Sequence, residues 1–461
     1  MTIVGIMCPR RHGENMRVSN VKKVRADAHQ PTYSFVDIFA GCGGLSLGLM
    51  QAGWKGLFAV EHDANAFQTL HDNLIAPEAR FQFAWPDWLS KTANDVAELL
   101  KSQRQRLAAY AGKVDMLVGG PPCQGFSSAG KRNPNDPRNR LVEQYLEFVH
   151  LLEPRVVLIE NVRGITTDFD DSSSDGGKLN YAQWIIKALG RNYDVSTKML
   201  DTSSFGVPQK RHRFFIVGFR KGSGIEPLQL FNAVERDRQT FLRHKNISSV
   251  PVSSKAAISD LEVSRNGKIP SRDSPGFQDI AYQGPLTAYQ TLMNDGWVGI
   301  PPDTRLARHR PEIAARFGKI IDLCHADGRL NVSLSSEIKA SFGLKKSAIR
   351  VLDPNLPSPT VTSMPDDLIH YSEPRALCVR ENARLQSFPD WFAFKGKYTT
   401  GGERRKTEVP RFTQVANAVP PLVAEAIGLT IAKLLREGGK PAYLTMEKPH
   451  RVSPEIQEAQ P

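Results

Sequence analysis

From residue 33 to residue 220, short apolar runs alternate with segments of helical pattern, as expected where strands and helices take turns in an α/β sheet. Ser34-Phe-Val-Asp-Ile-Phe39 reads as a buried strand, the turn Ala40-Gly-Cys-Gly-Gly44 follows, and Leu45 to Met50 reads as the start of a helix. Gly56-Leu-Phe-Ala-Val60 predicts a second strand, ending in Glu61. A polar helix is expected over residues 90 to 112. The strand from Val114 then runs into Gly119-Gly120-Pro121-Pro122 and delivers Cys123 at its end. Two glycines free the backbone there and two prolines stiffen it, so a thiol on the rim of the sheet is held in place. A helix from Leu141 to Leu152 and a strand from Arg155 to Val162, with Glu160 and Asn161 at its end, come next. After an acidic, serine-rich loop from Thr166 to Gly177 come a helix, a strand from Tyr193 to Leu200 and another over Phe214 to Gly218.

The alternation fades from about Lys221 to Leu344 into polar sequence broken by Pro and Gly, which reads as a separate, smaller domain. It contains a basic amphipathic segment, Asp303-Thr-Arg-Leu-Ala-Arg-His-Arg-Pro311. Order returns with Pro357 to Thr362, Arg380 to Asp390 and Gln414 to Pro421. The apolar helix that follows, Leu422 to Leu435, is long enough to pack on a sheet. Residues 1 to 32, with six Lys or Arg and two acids, lack apolar periodicity and read as a mobile arm; the tail after Glu447 reads as disordered.

Composition narrows the class. A chain of 461 residues with 40% hydrophobic content can form two or three cores. No run approaches about 18 apolar residues and no signal-peptide pattern opens the chain, so neither a membrane span nor export is expected. The five cysteines, Cys8, Cys42, Cys123, Cys324 and Cys378, are odd in number and lack C-x-x-C spacing. That argues against a disulfide framework and a zinc site and fits a reducing compartment. Sixty Lys and Arg against 48 Asp and Glu leave a charge of +12, the balance of a protein that neutralises phosphates, although charge alone does not make a nucleic-acid binder.

Candidate chemistry sits where the predicted strands end. The glycine turn after the first strand brings backbone N–H groups to a ligand, but it lacks the G-x-x-x-x-G-K of a phosphate loop. It also misses the dinucleotide fingerprint, because Ser46 stands at the third glycine. With Glu61 placed to meet ribose hydroxyls, the pattern suggests adenosine without pyrophosphate; a tight turn beside a surface Glu is the plainer alternative. Cys123 is either a nucleophile or a small buried hydrophobe. The loop Lys131 to Arg140 lies on a phosphate backbone or is simply solvated, and its flexibility would suit a lid. Arg211 and Arg213, at i and i+2 ahead of a strand, point the same way, as functional groups or as an edge-strand charge pair.

In content and order these blocks resemble the cytosine-C5 DNA methyltransferases of the bacterial modification type. The resemblance rests on Phe39 to Gly44, Glu61, Pro121-Pro122-Cys123, Glu160-Asn161-Val162, Gln209 to Arg213, Arg380 to Asp390 and Gln414 to Pro421, about half the chain. Two positions depart from the family pattern: Pro86-Asp87 replaces Gly-Asp, and Ala416-Asn417 replaces Gly-Asn.

The resemblance implies a Rossmann-like α/β domain that binds S-adenosyl-L-methionine, with a smaller, mixed target-recognition domain. Its divisions would be an arm at 1–32, the catalytic domain at 33–220, target recognition at 221–370, a return segment and C-terminal helix at 371–447, and a tail at 448–461. The implied reaction is methyl transfer to C5 of a flipped cytosine in a specific double-stranded DNA sequence, through a covalent Cys123 adduct. Glu160 would act at the exocyclic amine and N3, and Arg213, supported by Arg211, at the O2 carbonyl; no residue is assigned to take the C5 proton. The donor pocket would use Phe39, Ala40, Gly41, Gly43, Gly44, Glu61, His62, Asp87, Pro122, Leu141, Asn417 and Val419. Gln124 and Ser127 would contact DNA, and no metal is implied. A monomer in the bacterial cytoplasm, on the nucleoid and away from membranes, is expected, with a paired restriction endonuclease as a further family expectation. Two alternatives stand beside this: an RNA cytosine-C5 methyltransferase, and a DNA-binding regulator of the same fold without catalysis.

Overall fold

The computed structural model describes residues 32–122, 140–167, 169–170, 178–248, 250–346, 348–400, 404 and 407–438. The expected arm up to residue 31, the tail, Cys123, Gln124, Ser127, residues 131–139 and most of the acidic loop lie outside the described residues.

Six strands form the central sheet: β1 (Ser34–Ile38), β2 (Lys55–Val60), β3 (Met116–Gly119), β4 (Val156–Asn161), β5 (Tyr193–Asp201) and β6 (His212–Arg220). Their spatial order is β2-β1-β3-β4-β6-β5. The first four are parallel, whereas β6 runs antiparallel to β4 and β5 antiparallel to β6. Every residue of β1, β3 and β4 is buried, which is why their sequences are continuous apolar runs. From β1 the chain passes to β2 on one side, while β3 lies on the other. The carboxyl ends therefore part between β1 and β3, the switch point at which open α/β sheets bind ligands.

The helices that position the site are α1 (Gly44–Gln51), α2 (Ala64–Leu74), α3 (Arg140–Leu152), α4 (Tyr181–Leu189), α5 (Leu228–His244), α6 (Val379–Leu385), α7 (Arg411–Asn417) and α8 (Pro421–Gly438). The helix expected over 90 to 112 is two short ones, Val96–Ser102 and Arg104–Ala108; the break at Gln103 accompanies burial of Leu99, Leu100 and Leu107. Arg411–Gly438 is apolar and long enough to cross a membrane by composition, but 78% of its apolar window is buried inside the protein.

The C-terminal helix packs directly on α1. Trp54 Nε1 donates to Gly428 O at 2.9 Å. A Cβ at Gly48 would overlap Pro421 O and come within 2.5 Å of Ala424 Cβ, so only glycine allows this approach. Gly48→Ala is expected to lose about 1–3 kcal/mol, because overpacking against backbone outweighs the gain in helix propensity. An unchanged or higher midpoint in denaturant unfolding would contradict that contact.

Past β6, apart from α5, α8 and a 16-residue helix at Pro311–Ala326, the elements are short. Strands β7 (Lys268–Pro270) and β8 (Gln278–Ile280) form an antiparallel hairpin. A small apolar cluster gathers Phe317, Ile320, Cys324, Ile338 and Val351. Buried arginines of α6 pair with acids outside the helix: Arg384 reaches Asp390 at 2.6 Å and Asp260 at 3.1 Å, and Arg380 lies 3.5 Å from Asp303.

Candidate active site

A cavity of about 360 Å³ opens at the switch point. The end of β1 contributes Phe39, Ala40, Gly41 and Gly44, and the end of β2 contributes Glu61 and His62. Pro122 comes from β3, Glu160 from β4, Arg211 and Arg213 from β6, and Asn417 and Val419 from the α7–α8 junction. The sequence-expected groups thus converge from five strands and the C-terminal return. A larger hollow of about 980 Å³ between α3 and α4 contains none of them.

The turn after β1 is shaped for close approach. Phe39 itself has φ 64°, a conformation that a bulky residue adopts at a cost, and such strain concentrates where ligands are held. Gly41 N–H donates to Glu61 Oε2 at 2.9 Å, and Asp63 N–H donates to Oε1 at 2.8 Å. Both carboxylate oxygens are therefore fixed while each retains a further acceptor site. His62 Nδ1 lies 3.3 Å from Glu61 Oε1, and that bond raises the imidazole pKa.

At the other wall Arg213 Nε lies 2.8 Å from Glu160 Oε1. Burial raises the Glu160 pKa, held back by the charges of Arg213 and Arg211. Arg211 is 2% exposed and donates from Nη2 to Ala416 O at 2.6 Å, so it ties β6 to the loop carrying Asn417 and Val419. Asn161 Nδ2 donates to Pro121 O at 3.2 Å and its Oδ1 accepts from Val162 N–H at 2.8 Å. This pins the segment whose next residues are Pro122 and Cys123. A Cβ at Gly120 would sit a tight 3.2 Å from Glu160 Oε2, so the segment runs close beside that carboxylate.

Three expected pocket residues do not line the cavity. A Cβ at Gly43 (φ 94°) would strike Leu70 and Leu74 of α2, so this glycine serves packing beneath the turn. Asp87 is exposed and Leu141 is half-buried on α3. Cys123, Gln124 and Ser127 lie outside the described residues.

The structure also adds residues that the sequence did not single out. Asp37, 1% exposed on β1, lines the cavity. Ser46 Oγ donates to its Oδ2 at 2.5 Å, while Oδ1 is buried and has no hydrogen-bond partner among the described residues. Burial pushes the Asp37 pKa up to about 7, with the Ser46 bond opposing. Gln386 donates to Val415 O at 2.7 Å and accepts from Gln209 Nε2 at 2.9 Å, linking the cavity wall to residues ahead of β6. Only the fold reveals these roles, because each depends on burial or on a partner far away in sequence. Cys42 also lines the cavity, yet burial pushes its thiol up to about 12, and Cys324 and Cys378 are likewise buried with raised pKa values. Among the described residues, no cluster of three or more His, Cys, Asp or Glu could hold a metal.

Residues 33–433 match the family model described as C-5 cytosine-specific DNA methylase. The chain is 31% identical over 413 residues to the Type II methyltransferase M.DdeI of Desulfomicrobium norvegicum, covering 87% of this chain and 88% of the relative. To the Type II methyltransferase M.AgeI of Thalassovita gelatinovora it is 30% identical, covering 86% and 98%. Among solved structures, an E. coli prophage protein described as a DNA modification methyltransferase matches with TM-score 0.59 and 24% identity over 88% of this chain and all of that one, which shows a shared fold.

Proposed function

The chain belongs to the C-5 cytosine-specific DNA methylase family and is a DNA cytosine-5-methyltransferase, and from that premise we propose a covalent mechanism on a flipped cytosine within a specific duplex sequence. The observation that carries this reading is the meeting, in one cavity at the sheet's switch point, of the Glu160–Arg213 pair, the Pro122 segment and Glu61.

C5 of cytosine is a weak nucleophile, and thiolate addition at C6 makes it a strong one. Cys123, bonded to the cavity-lining Pro122, supplies the thiolate. As the S–C6 bond forms, ring electrons move toward C5 and the N3–O2 side. Glu160 then gives its proton to N3, a task suited to a carboxyl group whose pKa burial has raised. Arg213 holds O2 and offsets developing charge, while Arg211 fixes the loop beside it. After the methyl group joins C5, loss of the C5 proton expels the thiolate, and return of the N3 proton to Glu160 restores the aromatic base and the acid. The target base must leave the duplex first, at a cost of a few kcal/mol.

The residues present fit S-adenosylmethionine. Glu61 offers two fixed oxygens for ribose hydroxyls, Phe39 and Val419 offer apolar walls, and the unmet Asp37 oxygen suits a cationic amine. When bound, S-adenosylmethionine supplies the methyl group. Glu61→Ala is expected to weaken donor binding by about 1.5–3 kcal/mol, and to lower stability because the Gly41 and Asp63 N–H groups lose their acceptor. Calorimetric titration giving wild-type donor affinity would refute the assignment.

Asp37 makes donor binding depend on pH. A cation beside it favours the carboxylate, so binding releases a proton below about pH 7, and affinity rises with pH until Asp37 is ionised in the free protein. Stability runs the other way. The unfolded carboxyl ionises near pH 4 and the folded one near 7, so the unliganded protein loses stability as pH rises between them. Titrations at pH 6 in buffers of different ionisation enthalpy should reveal the released proton; identical heats in all buffers would exclude the linkage.

We assign sequence recognition to residues 221–370 and a protective role against a restriction endonuclease of the same specificity, because the relatives are named Type II methyltransferases. Bisulfite sequencing of DNA from expressing cells tests the whole reading: methylcytosine confined to one sequence context supports it, and unmodified DNA refutes it.

A further inference from the structure

The basic segment at Asp303–Pro311 is left without a role by the mechanism, and the structure builds it into an unusual stack. Arg305 Cζ lies 3.5 Å from the Tyr398 ring centroid and 4.1 Å from that of Phe277. Arg308 Cζ lies 5.3 Å from Phe277, and Arg411 Cζ lies 4.1 Å from Tyr398. Three guanidinium groups thus alternate with two aromatic rings, running from buried Tyr398 to exposed Arg308.

Charge compensation along this stack is uneven. Arg411, at its inner end, pairs with Asp273 at 2.9 Å and Asp303 at 2.8 Å. Arg305 and Arg308 have no carboxylate within 4.0 Å among the described residues. Arg305 donates from Nη1 to Ser274 Oγ at 3.2 Å, and its Nε is buried without a partner. Burial lowers the Arg305 pKa, with Tyr398, Asp273 and Asp279 opposing and the neighbouring Arg411 charge adding to the fall. A guanidinium held between two rings, with Asp273 and Asp279 acting on it only from beyond direct ion-pair contact, is a site an anion would complete. Ring stacking fixes the guanidinium planes beforehand, and Arg308, at the exposed end, presents its N–H groups for a phosphate contact.

We propose that Arg305 and Arg308 form a phosphate grip on the target duplex, preorganised by Phe277 and Tyr398. This rests on the methyltransferase reading, which makes duplex DNA the polyanion at hand. Position supports it: α7 begins at Arg411, the inner end of the stack, and ends at Asn417 in the cavity wall. Six residue steps at 1.5 Å each put Arg411 about 9 Å along α7 from Asn417, and Arg305 and Arg308 follow further out along the stack.

The test uses the full chain and a fluorescent 40-base-pair duplex of mixed sequence, titrated by anisotropy at several salt concentrations. Arg308→Gln is expected to weaken binding roughly three- to tenfold at low salt and to reduce the slope of log K against log [salt] by about one, because one phosphate contact is lost. Thermal midpoint and donor affinity should stay at wild-type values. Arg310→Gln, which removes an 84% exposed charge two residues away and off the stack, should change the slope much less. Equal losses for both variants would mean diffuse charge and overturn the grip, as would an unchanged slope for Arg308→Gln. Arg305→Lys keeps the charge but not the planar fork; wild-type affinity in that folded variant would also overturn it. If the wild-type protein methylates DNA and only these variants behave as wild type, the grip alone fails. If the wild type binds no duplex, both readings fail.

Discussion

Serine in place of Cys123 is expected to slow methyl transfer by about 10⁴-fold or more while duplex and donor still bind. The hydroxyl is nearly isosteric with the thiol and makes similar hydrogen bonds, so little else changes. What disappears is the nucleophile: an alcohol remains protonated near neutral pH, whereas a thiol in a cationic setting ionises readily. No described cysteine can take over, since Cys42, Cys324 and Cys378 are buried with thiol pKa values raised by that burial. Rapid-quench assays with labelled S-adenosylmethionine give the rate, and turnover by Cys123→Ser at the wild-type rate would remove the nucleophile from the mechanism.

Glu160→Gln should cost about 10²–10⁴-fold, the usual worth of a positioned acid or base. Glutamine keeps the shape and can still accept from Arg213, so the fold should persist, but it has no proton to give to N3. The pH profile provides a second signature. Because burial raises the Glu160 pKa, the protonated form survives to higher pH than an ordinary carboxylic acid would allow, and the wild-type rate should fall as pH climbs past that point. The variant should lose that descending limb. A variant that is slow but keeps the wild-type profile would assign the limb to another group.

Much of the sheet was legible because its strands are buried on both faces and leave apolar runs, so β1 to β4 fall where those runs lie. The site was legible for a different reason: chemistry at the ends of strands needs particular residues beside turn formers. Glu61 and Glu160 follow or end such a run, Arg213 leads into one, and all three line one cavity. Ser46 shows the limit of that reasoning. Its presence excluded a dinucleotide fingerprint, but its work, orienting the buried Asp37, depends on a contact that no spacing rule predicts. Gly43 shows the reverse, a motif glycine whose surroundings are Leu70 and Leu74 rather than ligand space. The middle region resisted reading because its two longer helices, Leu228–His244 and Pro311–Ala326, bury only a few apolar residues each, and long-range ion pairs such as Arg384 with Asp260 and Arg411 with Asp273 tie together the Pro- and Gly-broken segments around them.

The central claim, a covalent bond from Cys123 to C6 of the target base, is tested most directly by trapping. Wild-type protein and S-adenosylmethionine are offered a duplex with 5-fluorocytosine at the position that bisulfite sequencing identifies. Fluorine cannot leave as a proton does, so elimination stalls after methyl transfer. The expected result is a protein–DNA adduct that survives denaturing electrophoresis and maps by mass spectrometry to the peptide containing Cys123. An adduct on Cys42, Cys324 or Cys378, or active methylation of ordinary cytosine with no adduct on the fluorinated duplex, would contradict the account.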